Sequence, residues 1–109
     1  KMIKISEPLS SELNEYYNIR WRILRQPLGL KKGTEKDDLE DKSIHRVAKI
    51  NNQIIAVGRL HFIENNTVQI RYMAVEDDFR GRGVGKLITN EFIKISKEKN
   101  ILYKCLLLV

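Results

Sequence analysis

The chain has 109 residues, 42% of them hydrophobic and 31% charged, and a formal charge of +6 from 20 Lys+Arg against 14 Asp+Glu. This describes one soluble domain, residues 1–109, with enough apolar material for a core. It argues against a membrane protein, because the longest purely apolar run, Cys105 to Val109, is far short of the roughly 20 residues that cross a bilayer. The positive balance favours anionic partners, but the basic residues form no long run, so nucleic acid is not an expected partner. Cys105 is the only cysteine and can make no internal disulfide, which fits a reducing, cytoplasmic setting.

In chain order, Met2 to Ile5 reads as a short strand. Pro8 suits the first turn of a helix, with Ser6 or Glu7 as its cap. Leu9, Leu13, Tyr16, Ile23 and Leu24 keep to one helical face, flanked by Tyr17 and Trp21. Pro27 ends the helix, because the residue before a proline is pushed out of the α region. Arg25 to Ser43 is irregular, with turns at Pro27, Gly29 and Gly33 and a short capped helix expected from Thr34 to Asp41. Asp37, Asp38, Glu40 and Asp41 are read as a solvated acidic face, with attraction of an amine-bearing partner as the functional reading.

Ile44 to Ile50 and Ile54 to Ile63 are strands joined by the polar turn Asn51-Asn52-Gln53. A second turn, Glu64-Asn65-Asn66, leads to a third strand, Val68 to Val75. The three form an antiparallel meander. Along the third strand Val68, Ile70 and Tyr72 alternate on one face, and then Met73 and Val75 take the opposite parity. Such a slip predicts a bulge near Tyr72-Met73. His61 shares its parity with Ile55, Val57, Arg59 and Ile63, a mixed face. His45 has no partner apparent from sequence.

After the strand come Glu76-Asp77-Asp78-Phe79, an acidic turn, and then Arg80-Gly81-Arg82-Gly83-Val84-Gly85-Lys86. Val84, Leu87, Ile88, Phe92 and Ile95 form the buried stripe of a following helix. Glycines at alternate positions carry an entropic cost. Free N–H groups at a helix start, with Arg80, Arg82 and Lys86 beside them, make an anion site suited to phosphate. A basic strand-to-helix turn with no ligand is the competing reading. A P-loop is excluded because Arg80 and Leu87 stand where Gly and Ser or Thr would be needed. A G-x-G-x-x-G fingerprint fails in both registers, at Lys86 and at Ile88. Beyond Asn100, Ile101 to Val109 reads as a strand parallel to Val68–Val75, reached by a right-handed crossover.

The run Arg80-Gly81-Arg82-Gly83-Val84-Gly85, entered through Tyr72 to Phe79, resembles motif A of the GNAT superfamily of N-acetyltransferases, Q/R-x-x-G-x-G/A. The resemblance implies an α/β (α+β) fold with a mixed, mostly antiparallel sheet flanked by helices. It implies acetyl-CoA as co-substrate and direct attack by an amine. The pyrophosphate would lie on Arg80, Gly81, Arg82, Gly83, Val84, Gly85 and Lys86. The pantetheine arm would lie along Met73, Ala74 and Val75, with a backbone N–H on the thioester carbonyl. The first helix and the connection after it would help form the acceptor mouth, and Trp21 to Leu30 resembles a form seen in some bacterial members.

The family continues beyond the point matching Val109 with another helix and usually two more strands. The chain is therefore expected to be incomplete at the C-terminus and to cover about the first three-quarters of the fold, and Lys1 before Met2 points to ends that are not native. The family's tyrosine acid falls in the part not covered, and Tyr103 does not inherit its role. No residue is assigned as general base, and no metal is expected. The acceptor would be a small-molecule or peptide amine. A truncated, non-catalytic acyl-CoA-binding module is the alternative, and a basic nucleic-acid-binding domain a weaker one. An exposed sheet edge would favour a homodimer.

Overall fold

The computed structural model describes residues 2–64 and 67–99 in full and 104–108 as backbone. Its elements are β1 (Lys4–Ser6), α1 (Leu13–Leu24), β2 (Ile44–Ile50), β3 (Gln53–Ile63), β4 (Thr67–Val75), α2 (Val84–Glu98) and β5 (Lys104–Leu108). They form one sheet in the order β1-β2-β3-β4-β5. The first four strands are antiparallel neighbours, and β5 runs parallel to β4. The sheet is thus mixed and mostly antiparallel, with a helix packed on each face. No described helix is long and apolar enough to cross a membrane.

The α2 face is the larger apolar layer. Val84, Ile88 and Phe92 pack on Ala48, Ile55, Ala56, Leu60, Val68 and Ile70, all buried. Steps of four along α2 carry this stripe, which continues to buried Ser96, whereas Leu87 is 41% exposed. On the opposite face, Tyr16 and Ile19 of α1 cover Val47, Ile54, Val57 and Ala74.

The bulge lies where the alternation slips. Val57 stands opposite Ala74 and Arg59 opposite Arg71, so Tyr72 and Met73 share the single position facing Gly58. Tyr72 has φ +57°, a left-handed conformation costing about 1–3 kcal/mol for such a residue. The turn between β2 and β3 is tighter than expected. It uses only Asn51 and Asn52, at φ +51° and +66°, while Gln53 already belongs to β3. Asparagine tolerates that region better than most residues.

Three expectations need correction. Pro8 precedes the first helix instead of sitting in its first turn. Ser6 is held in the ladder opposite Val47 and caps nothing, and a 3-10 turn, Ser10–Glu12, leads into α1 with the Leu9 N–H donating to Glu12 Oε1 at 2.9 Å. No helix spans Thr34 to Asp41; there is only a 3-10 turn at Glu40–Lys42. There the Asp37 N–H donates to Glu40 Oε2 and the Leu39 N–H to Asp37 Oδ1, local bonds that compete with helical ones. The acidic cluster is also not simply solvated, because Asp37 and Glu40 turn inward to two buried arginines. Asn65, Asn66, Asn100, Ile101 to Tyr103, Val109 and the side chain of Cys105 lie outside the described residues.

Candidate functional site

The site begins at the bulge. β5 pairs with β4 only from Thr67 to Arg71, so Tyr72 to Val75 have no strand partner on that side among the described residues. The Glu76 N–H donates to the Ile55 carbonyl at 2.9 Å, which fixes which edge of the strand faces β3. Strand alternation then puts the Val75 and Met73 N–H groups on the other, open edge. The Val75 carbonyl is on that edge too, accepting from Arg80 Nε at 3.4 Å.

A 3-10 turn, Asp77–Phe79, reverses the chain, and Arg80 is extended. Gly81 and Gly83 have φ of +75° and +77°, where a side chain strains the backbone, although a Cβ at either would meet nothing within 4 Å. Backbone conformation is thus the immediate reason for these two glycines, and the space above them is open. Helix α2 starts on Gly83. Its first bond runs from the Leu87 N–H to the Gly83 carbonyl at 3.1 Å, and no side chain caps it. The N–H groups of Val84, Gly85 and Lys86 therefore have no acceptor within the helix.

The open edge and the loop meet in one cleft of about 300 Å³. Met73, Ala74, Val75, Arg80, Gly81, Gly83, Val84 and Gly85 line it, and Ile23 and Leu24 of α1 with Phe79 supply an apolar wall. Arg82 and Lys86 are outside this lining. Arg82 stands 5.6 Å from the Phe79 ring and lines a neighbouring cavity with Ile3, Ile50 and Asn51, and Lys86 is exposed. Arg80 pairs with Asp77 at 3.3 Å on the surface. Glu76 braces the cleft from outside, accepting 3.0 and 2.6 Å bonds from Arg22 of α1.

Behind the cleft, on the α1 face, lies a polar network that the sequence did not disclose. Arg20 and Arg59 are fully buried. Glu40 accepts from both, at 2.9 and 2.8 Å, and Asp37 accepts from Arg59 at 2.6 and 3.0 Å. Hydrogen bonds from Arg59 hold the Asp37 carboxyl down at about 2. Burial pushes the Glu40 carboxyl up, but Arg20 and Arg59 outweigh it and keep it below the usual range. His45 does have partners. Its Nε2 pairs with the Glu40 carbonyl at 2.8 Å and its Nδ1 with the Tyr16 hydroxyl at 2.7 Å; that hydroxyl donates to the Gly58 carbonyl, opposite the bulge, at 3.0 Å. Burial lowers the His45 pKa and so favours the neutral ring. His61 is 6% exposed, beside Arg59 and outside the cleft lining; burial and the Arg59 charge lower its pKa.

One signal could have found Arg20: it lies four residues after Tyr16, on the buried face of α1. Arg59 shares its strand parity with Val57.

A mixed sheet with a bulged interior strand, opening beside a glycine loop at a helix start, defines an α/β protein in which an open strand edge and unbonded helix N–H groups meet in one cleft. The family model described as acetyltransferase (GNAT) family matches residues 7–109. The chain belongs to that family. Among solved structures it is similar to a GNAT-family acetyltransferase from Staphylococcus aureus Mu50, at 24% identity and TM-score 0.74, covering 92% of this chain and 70% of that one. It is also similar to the PaiA N-acetyltransferase of Thermoplasma acidophilum in complex with coenzyme A, at 16% identity and TM-score 0.78, covering 100% and 80%. A predicted acetyltransferase from Clostridium acetobutylicum, solved with acetyl-CoA, matches at 21% identity and TM-score 0.73, covering 99% and 81%.

Proposed function

We propose that residues 1–109 act as a single acyl-CoA-binding domain that transfers an acetyl group from acetyl-CoA to an amine by direct attack. One observation carries this reading: the open edge of β4 and the glycine loop line the same cleft. The unpaired N–H groups of Val84, Gly85 and Lys86 and the charges of Arg80, Arg82 and Lys86 suit a pyrophosphate. The open edge at Met73, Ala74 and Val75 suits the amide-bearing pantetheine arm, which can pair with it as a strand would. An N–H on that edge, at Met73 or Val75, would stabilise negative charge developing on the thioester oxygen as the amine attacks. Holding both reactants in one cleft replaces a bimolecular encounter.

The test is thermal unfolding with and without acetyl-CoA, on the parent and on Gly83→Asp. Aspartate is among the residues that tolerate positive φ, and a Cβ at Gly83 meets nothing, so the variant is expected to fold. Acetyl-CoA at about 100 times its dissociation constant adds about 2.7 kcal/mol, a rise on the order of 10 °C for a domain of this size. The variant, with a negative charge in the seat, should lose the rise. An unchanged parent would overturn the proposal. A parent that shifts but never releases coenzyme A thiol with any amine would instead be a binding module.

A further inference from the structure

Tyr72 sits inside a ring of cations. The guanidinium carbons of Arg20, Arg71, Arg59 and Arg25 lie 4.3, 4.6, 4.8 and 5.2 Å from the centre of its ring. The carboxylates bonded to these four guanidiniums are Asp37 and Glu40, and both are committed mainly to the two buried arginines. Arg59 receives Asp37 at 2.6 and 3.0 Å and Glu40 at 2.8 Å, while Arg20 receives Glu40 at 2.9 Å. Among the described residues Arg71 is left a single 3.5 Å contact, with Asp37, and Arg25 donates only to the Thr34 and Leu24 carbonyls. Of the other acids in this loop, Glu35 turns its carboxylate to the Gly33 N–H, and Asp38 and Asp41 are exposed.

Positive charge is therefore in excess at Arg71 and Arg25. Several of its donors are also unused: among the described residues, Nε of Arg20, Arg59 and Arg71 are buried without a partner. An unpaired buried charged donor is costly. The cluster reaches solvent at Arg71, whose side chain is 33% exposed.

Its position ties it to the cleft. The bulge sends Tyr72 to the α1 face, while the next residue, Met73, lines the cleft; Arg25 likewise follows Leu24, which lines the cleft. We infer that this cluster is an anion-binding site for the acceptor: the amine to be acetylated carries an anionic oxygen group, carboxylate or phosphate, that Arg71 and Arg25 grip beside Tyr72. This rests on the acetyltransferase reading above. Guanidiniums suit both groups, since their paired N–H donors match two oxygens at once.

The test has two arms. In the first, β-alanine, phosphoethanolamine, ethanolamine and putrescine are compared as acceptors by thiol release from acetyl-CoA. One or both anionic amines should exceed ethanolamine in kcat/KM by about tenfold or more, mostly through KM, as loss of a charged hydrogen bond predicts. Arg71→Gln should abolish the advantage and Arg71→Lys should retain part of it. Which anionic amine leads distinguishes carboxylate from phosphate.

The second arm needs no turnover. The same four compounds are titrated in thermal unfolding without acetyl-CoA, on the parent, Arg71→Gln and Gly83→Asp. Stabilisation by an anionic amine that survives Gly83→Asp and disappears in Arg71→Gln supports the site. Stabilisation lost instead in Gly83→Asp would place the anion on the glycine loop and overturn it, as would putrescine or ethanolamine matching the anionic amines in both arms. Failure of acetyl-CoA itself to bind would overturn the acetyltransferase reading, and the second arm would still decide whether the arginine site exists.

Discussion

At the residue scale, the α1 face depends on a few carboxylates. Glu40 receives both buried arginines and the Tyr17 hydroxyl, and Asp37 completes the pairing of Arg59. Such groups make stability depend on pH, with a definite sign. Asp37 has a folded pKa of about 2 against 3.8 unfolded, so it stabilises the fold above pH 3.8 and the gain is lost as pH falls towards 2. The shift corresponds to roughly 2 kcal/mol. His45 and His61 act in a higher window. Burial lowers the pKa of both, so each favours the fold fully above about pH 6.5 and less as pH falls below it. Urea midpoints measured from pH 8 to pH 3 should therefore decline in two stages. His45→Gln should shrink the upper stage, and Asp37→Asn should weaken the protein at pH 7 while flattening the lower one. A single decline near pH 4 would show that the histidines are not buried neutral as described.

At the element scale, Gly58 is the hinge of the arrangement. It faces the two bulge residues, and a Cβ there would lie 2.9 Å from Ile88 Cγ2, 3.2 Å from Phe92 Cε2 and 3.5 Å from Met73 Sδ. Only a bare backbone lets α2 sit this close to β3. Gly58→Ala should cost about 1–3 kcal/mol by overpacking, and it should also weaken cofactor binding by moving Met73. A destabilisation below about 0.5 kcal/mol would mean α2 can shift freely. The bulge itself was legible, because a slip of parity between Tyr72 and Met73 has few other meanings in a strand. The glycine loop and the two hairpin strands were legible for the same reason: local pattern dictates them. Arg59 was not, because a charge on a strand reads as surface until the loop carrying Asp37, 22 residues away, folds over it. Asp37 and Glu40 were misread on the same account, while Asp38 and Asp41 are exposed as expected: the partners of the first two come from α1 and β3, and no local pattern joins them.

At the scale of the whole molecule, the sheet is paired at one end of β4 and, among the described residues, open at the other. Ile70 lies between β3 and β5, opposite Leu60 and Leu107, whereas Met73 and Val75 turn their N–H groups to the open side. Amide exchange follows local opening, so these two amides should exchange much faster than that of Ile70 in the protein alone. If acetyl-CoA lies along this edge, its pantetheine amides accept and donate where a strand would. Both rates should then fall by about tenfold at about ten times the dissociation constant, while Ile70 changes little. The amides of Val84, Gly85 and Lys86 should slow in the same titration, since a pyrophosphate would occupy them. Exchange measured by NMR resolves the two groups separately. Slowing at the loop without slowing at Met73 or Val75 would place the arm elsewhere, and the bulge would then serve only to turn Tyr72 towards its arginines.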